Sequence, residues 1–353
     1  MIPIRNIWHM LAYAFGNLNS KGFRSIETES FENIADLSSE ILAKGVAQLL
    51  KRGIGKDYVA VEDEVCAIRG RIAFAETIRT NALVRKRLVC GYDEFSVNSY
   101  MNRILRTTME LLVRADISPA RKRALRSHLA RFARVEPLDP SRINWRFNFN
   151  RNNHLYRTLM SFCALVIKGL LMTQRDGSVR VMEFLDDRKI HALYEKFILE
   201  YYRSEFPGKT SAGWIRWQLD EAPDEVSSSF LPVMKTEITL SLGGKVLILD
   251  AKYYMEVANE HYDRERISSA HLYQVFGYVQ NRAIQDRKAG KDTEVSGMLL
   301  YAKPDDMPDL RLSWKIAGNR IGARTLDLNC EFPEIRRQLN AIAEDHFGCT
   351  MRS

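Results

Sequence analysis

Apolar residues recur three and four positions apart between Phe31 and Leu50, at Phe31, Ile34, Leu37, Ile41, Leu42, Val46, Leu49 and Leu50. That spacing lays them on one helical stripe, and Lys51-Arg52 followed by Gly53 marks the stop. A strand-like stretch, Tyr58 to Phe74, comes next and is interrupted at Arg69-Gly70-Arg71, which reads as a turn or bulge. Met101 to Val113 returns to helical spacing. The run from Arg121 to Arg134 holds six basic residues and no acid; it reads either as a solvated helix face or as a phosphate-contacting surface. Pro137, Pro140 and the Asn- and Arg-rich stretch Arg146 to Asn153 then break the pattern. A domain boundary near residue 150 is expected there, with domains 1–150 and 151–353.

Beyond that point the pattern changes. Helical spacing over Leu155–Met172 and Lys189–Phe206 precedes strand-like runs at Gly213–Gln218, Lys235–Leu242, Lys245–Tyr254 and Val295–Ala302. A long helical stretch, about Ser268–Lys288, separates the last two. The expected fold class is α+β or α/β: a mostly helical amino-terminal domain with a β-rich insertion, then a mixed sheet flanked by helices.

The segment KTEITLSLGGKVLILDAKYY, from Lys235 to Tyr254, carries the chemistry. Gly243-Gly244 between two β-rich runs is a two-residue hairpin signal. With those glycines as the turn, Leu242 pairs with Lys245 and Glu237 falls opposite Asp250. Facing carboxylates repel unless a positive charge lies between them. Their oxygens suit Mg²⁺ or Mn²⁺, with the Ala251 carbonyl as a third ligand. Lys252, two residues past Asp250, shares its face. Acid, acid and lysine on one surface suit metal-dependent phosphodiester hydrolysis. Gln274 and Tyr278 lie one helical turn apart and share a face. Gln274 could reach a phosphate or a metal-bound water, and Glu195 in LYEKFILEYY is a further acid that could approach the metal; taken alone, Gln274 reads better as the polar edge of an amphipathic helix and Glu195 as a solvent-facing acid.

Composition narrows the picture. The net charge of +8, from 52 basic and 44 acidic residues, is compatible with nucleic-acid binding. Five widely spaced cysteines, Cys66, Cys90, Cys163, Cys330 and Cys349, fit neither a zinc site nor a disulfide framework. No Walker A pattern occurs, since Gly290-Lys291 is followed by Asp292 and position 285 is not glycine. No secretory signal or membrane-spanning stretch is visible, so a cytoplasmic location is expected.

The acid on the hairpin, then Asp250-Ala251-Lys252, then Gln274-x-x-x-Tyr278 resembles the PD-(D/E)XK nuclease superfamily. The ordered pieces IPIRNIWHMLAYAF, LLKRGIGKDY, IRGRIAFAETIR, NRIL, LYEKF, LPVMKTEITL, LILDAKYY and LYQVFGY resemble the McrC family, nuclease subunits of modification-dependent restriction systems. The resemblance implies a hexameric McrB-like AAA+ partner that uses GTP and recognises double-stranded DNA carrying modified cytosine. It also implies an amino-terminal part that stimulates the partner's GTP hydrolysis. Arg69 and Arg71, flanking Gly70 in the expected turn, are candidate contacts and read at least as well as exposed turn charges. Catalysis is implied at Glu237, Asp250, Lys252 and Gln274, supported by Tyr278 and Glu195, with Mg²⁺ or Mn²⁺ on Glu237, Asp250 and Ala251. The family usually has Asp where this chain has Glu237. An alternative follows from that departure: a catalytically idle nuclease fold that only assembles with the partner and stimulates its GTPase.

Overall fold

The computed structural model describes residues 2–16, 31–147, 154–173, 187–221, 224–253, 267–305 and 307–348, with positions 23, 26, 29 and 149. Two compact units emerge, one from residues 20–184 and one from residues 1–19 together with 185–353. The division falls later than the Pro- and Asn-rich stretch near residue 150, and the first helix, α1 (Ile4–Ala14), joins the carboxy-terminal unit. Both differences have visible causes. Asn6 donates to the carbonyls of Leu328 and Cys330 at 2.8 and 2.7 Å, and the His9 ring stacks on Phe332. Tyr13 donates to Glu205 at 2.9 Å.

In the amino-terminal unit, α2 (Ile34–Arg52) buries Leu37, Ile41, Leu42, Val46 and Leu49 of the expected stripe, with Ile34 and Leu50 half-buried at its ends. Asn33 caps it by accepting the N–H of Asp36. Strand β1 (Asp57–Val65), the short β2 (Arg71–Ile72), α3 (Phe74–Arg79) and β3 (Leu88–Ser96) follow, with β3 central in a three-stranded sheet. The strand-like stretch thus ends where α3 begins at Phe74. Helices α4 (Tyr100–Arg114), α5 (Pro119–Arg131) and α6 (His154–Thr173) complete the unit. The NRIL segment holds a buried polar network. Asn102 donates to the carbonyls of Gly55 and Val97, and its own carbonyl accepts the Tyr156 hydroxyl at 2.6 Å. That bond ties α6 to α4, so the chain beyond residue 150 stays with this unit. In the basic run, Arg121 is spent internally: it pairs with buried Asp36 and with Glu29 and stacks on Phe31.

The carboxy-terminal unit is a six-stranded mixed sheet with helices, a mixed α/β arrangement. After α7 (Asp187–Glu205) come β4 (Thr210–Ser211), β5 (Trp214–Ile215), α8 (Glu225–Phe230), β6 (Met234–Lys235), β7 (Ile238–Leu242) and β8 (Lys245–Lys252). Then follow α9 (Ser269–Lys288), β9 (Glu294–Ala302), β10 (Arg311–Ile316), β11 (Asn319–Leu326) and α10 (Phe332–Phe347). The strand order is β10-β11-β9-β8-β7-β4, with β8, β9 and β11 parallel. The expected strand over 213–218 shrinks to β5, which pairs with β6 outside the main sheet. Helix α9 crosses from β8 back to parallel β9 and packs Val275 and Val279 against Val246, Ile248 and Tyr301.

Gly297 on β9 lets that helix approach. A Cβ there would overlap methyl groups of both Val275 and Val279. Gly297→Val is expected to destabilise the protein by about 1–3 kcal/mol, the cost of overpacking. Gly277, inside α9, has nothing within 4 Å of a Cβ, so Gly277→Ala is expected to stabilise by about 0.5–1 kcal/mol. Urea denaturation of the two variants should give shifts of opposite sign; equal shifts would contradict this packing.

Candidate active site

Gly243 and Gly244 both take positive φ, +56° and +77°, as a type I′ turn requires. The hairpin register runs from Leu242↔Lys245 to Ile238↔Leu249. The next pair expected from the sequence, Glu237 opposite Asp250, does not continue the ladder. Instead Glu237 Oε2 accepts the backbone N–H of Ala251 at 2.7 Å. The strand expected over 235–242 is accordingly broken at Thr236-Glu237, where Thr236 N–H donates to the Gly213 carbonyl.

Val246 and Ile248 face α9, so Asp250 and Lys252, of the same parity, continue on that face. Lys252 Nζ lies 2.8 Å from Asp250 Oδ2 and 3.3 Å from Glu237 Oε1. The Asp250 side chain is 1% exposed. Its second oxygen, Oδ1, is buried with no hydrogen-bond partner among the described residues. A buried polar atom without a partner is costly and marks a place where something else is expected to bind.

Burial, and then Asp250, push the Glu237 carboxyl up from 4.5 to about 8; Lys252 works against this, while Glu195 adds to it. Burial disfavours the Lys252 ammonium, but Asp250 and Glu237 outweigh it and hold it above its usual value. The folded protein therefore binds the Glu237 proton more tightly than the unfolded chain does. In metal-free protein this contribution to stability is fully present below about pH 4.5 and is lost as pH rises through 8. Thermal melts in EDTA between pH 5 and 8.5 should show the decline, and Glu237→Gln should flatten it. An unchanged pH profile in Glu237→Gln would contradict the assignment.

Glu195 projects from α7 and pairs with His191 at 2.7 Å. A cleft of about 390 Å³ is lined by Glu195, Lys196, Lys235 and Glu237, among others, and opens beside the carboxylates. The four residues Glu195, Glu237, Asp250 and Lys252 are thus brought together. Gln274 and Tyr278 are joined to each other, Nε2 donating to the hydroxyl at 2.9 Å, and Tyr278 belongs to the core beneath α9. No described contact links either to the carboxylates. Arg69 and Arg71 lie in the amino-terminal unit. Both are exposed; the Arg69 guanidinium sits 4.0 Å over the Tyr92 ring, and Arg71 pairs with Gly91 across β2 and β3. His271 escaped the sequence reading: its Nδ1 lies 3.1 Å from the hydroxyl of Tyr301, the residue level with Lys252 on β9. Its helical spacing with Gln274 and Tyr278 was the available signal.

Among the described residues no three of His, Cys, Asp and Glu surround one point. The donors at hand are the Glu237 and Asp250 carboxylates and the Ala251 carbonyl. Cys66, Cys90, Cys163 and Cys330 are free thiols, and Cys349 lies outside the described residues. No helix among the described residues is long and apolar enough to cross a membrane.

A family described as McrBC 5-methylcytosine restriction system component matches residues 5–302. A protein of Escherichia coli (strain K12), described as type IV methyl-directed restriction enzyme EcoKMcrBC, is 29% identical over 350 residues, 98% of each chain. A solved half-complex from a tetradecameric assembly of Thermococcus gammatolerans McrB AAA+ hexamers with bound McrC aligns over 96% of this chain and 76% of that one. Its TM-score is 0.50 at 18% identity, a likeness of fold.

Proposed function

The chain belongs to the McrBC 5-methylcytosine restriction system component family, and on that premise we propose that it is the DNA-cutting subunit of a GTP-dependent restriction complex. It hydrolyses phosphodiester bonds of DNA carrying modified cytosine, in a centre of PD-(D/E)XK type, and stimulates an McrB-like hexameric AAA+ GTPase. GTP is used by that partner, and the complex works in the cytoplasm. The carboxy-terminal unit does the cutting. Residues 20–184, with Arg69 and Arg71, carry the partner-facing and GTPase-stimulating role. The relative from Thermococcus gammatolerans is held by McrB AAA+ hexamers, which supports a ring of that kind here.

The observation that carries the reading is the buried Asp250 oxygen without a partner, beside Glu237 and Lys252. Two carboxylates share one ammonium, and burial, then Asp250, pushes the Glu237 carboxyl up to about 8. That donor set fits Mg²⁺ or Mn²⁺ held by Glu237, Asp250 and the Ala251 carbonyl. A cation held there supplies positive charge against phosphate oxygens and acidifies water. Lys252, which stays an ammonium beside the two carboxylates, serves as a positive charge on the phosphate. The burial of Asp250 and Lys252 lowers the local dielectric and strengthens each of these interactions. Glu195 lines the cleft and adds negative charge near Glu237; Gln274 and Tyr278, bonded to each other on α9, play a supporting part.

One observation favours the second reading, an idle nuclease fold that only regulates the GTPase. Both Glu237 oxygens already have partners, the Ala251 N–H and Lys252. Reconstitution decides between the two. The chain, its cognate GTPase, GTP, Mg²⁺ and a 5-methylcytosine plasmid should yield cut DNA only together. Raised GTP hydrolysis without cutting under Mg²⁺ or Mn²⁺ would establish the idle fold. Cutting by the chain alone would contradict partner dependence.

A further inference from the structure

A cavity of about 480 Å³ lies on the face of the sheet turned away from α9. Its floor is open because two central strands carry little there. Ser296 on β9 and Gly322 on β11 both line it. A Cβ on Gly322 would stand 2.7 Å from the Leu312 carbonyl oxygen, so backbone packing fixes glycine at that position. Asp250 and Lys252 point to the other face, so this cavity is separate from the carboxylate centre.

The lining is basic. Lys245, Arg311, Arg320 and Arg324 face only two acids, Glu294 and Asp345. Arg324 is taken by Asp345 at 2.8 Å, and Lys245 Nζ approaches the His346 carbonyl at 3.5 Å. Arg320 has the Ser313 hydroxyl at 3.3 Å, and Arg311 makes no ion pair among the described residues. Two buried polar atoms add a second, independent observation. Ser296 is 2% exposed, and neither its Oγ nor His346 Nε2 has a hydrogen-bond partner among the described residues. Burial holds His346 below its ordinary value; Glu294 opposes this, and Lys245 and Arg320 add to it. The neutral ring offers a hydrogen bond rather than a charge.

We infer that this cavity binds one nucleoside 5′-monophosphate unit, its phosphate on Arg311, Arg320 and the Ser296 hydroxyl. Guanidinium groups match phosphate oxygens in charge and geometry. The volume exceeds what a bare phosphate fills and lies in the range of small-molecule sites. Leu247, Met298 and Ile342 supply apolar wall for the sugar and base. The unit has two possible sources, a free mononucleotide or the 5′-phosphorylated end of a DNA strand.

The test is calorimetric titration of the full chain in EDTA. The probes are dCMP, dGMP, inorganic phosphate, and a twelve-nucleotide single strand with or without a 5′-phosphate. Saturable binding of a mononucleotide or of the phosphorylated strand is expected, tighter than phosphate alone. The Arg311→Ala/Arg320→Ala double variant should weaken it about tenfold or more, and Ser296→Ala by about threefold to tenfold. Arg287→Ala, on α9, should leave it unchanged. A preference between free nucleotide and phosphorylated strand identifies the source. Absence of saturable binding by every probe would overturn the proposal. So would equal affinity in a double variant whose melting temperature matches the parent.

Discussion

Asp250→Asn is expected to lower DNA cleavage by the assembled complex about 10³-fold or more, while GTP hydrolysis stimulated in the partner stays near the parent level. The substitution keeps the shape of the side chain and removes the charge that a divalent cation needs. The exchange should not unfold the chain. Asp250 is buried beside Glu237, whose carboxyl is already pushed up to about 8, in part by Asp250. Removing one of two crowded acids relieves repulsion, and Lys252 keeps Glu237 as its partner at 3.3 Å. Metal-free Asp250→Asn should therefore melt at or above the parent temperature. Loss of cleavage with a lowered melting temperature and lost GTPase stimulation would mean that the residue is structural instead.

Lys252→Met is expected to move stability the other way. Methionine fills much of the same stem volume, but two carboxylates, 1% and 21% exposed at the side chain, lose the cation between them. Breaking a buried pair by removing one partner costs about 3–5 kcal/mol. At pH 5.5 the cost shrinks, because Glu237 takes up a proton well below its raised value of about 8. Urea unfolding in EDTA at pH 5.5 and pH 8 measures both numbers. An equal loss at the two pH values would show that Lys252 acts through packing alone. Cleavage should fall with Lys252→Met as it does with Asp250→Asn, so the two variants share a functional loss and differ in the sign of their stability change.

The hairpin was legible because its determinants are local. Two glycines fix the turn, the turn fixes the register, and a period of two fixes the face. The exit of Glu237 from that register was not legible. It depends on the Ala251 N–H drawing the carboxylate across and on Gly213 holding Thr236, a residue 23 positions away. The long helices were legible in their apolar spacing, but not their partners. Asn6 meets carbonyls more than 300 residues along the chain, and periodicity carries no information on such pairings. Strand β10 was missed because most of its residues are exposed and lack the alternation of a half-buried strand. The Ala317-Gly318 turn, with both φ positive, was a hairpin signal that could have revealed β10 and β11. The boundary near residue 150 followed composition, whereas the division of the fold follows the bond between Tyr156 and Asn102.

The most direct test of the proposed centre asks where a divalent cation binds, without relying on activity. Fe²⁺ substitutes for Mg²⁺ or Mn²⁺ on oxygen ligands, and with ascorbate and peroxide it cuts the backbone beside the place where it binds. Mass spectrometry of the fragments should show cuts near Glu237 and between Asp250 and Lys252, suppressed by excess Mn²⁺ and absent in Asp250→Asn. Cuts confined to other positions, or the same pattern in Asp250→Asn, would contradict a metal centre on this hairpin.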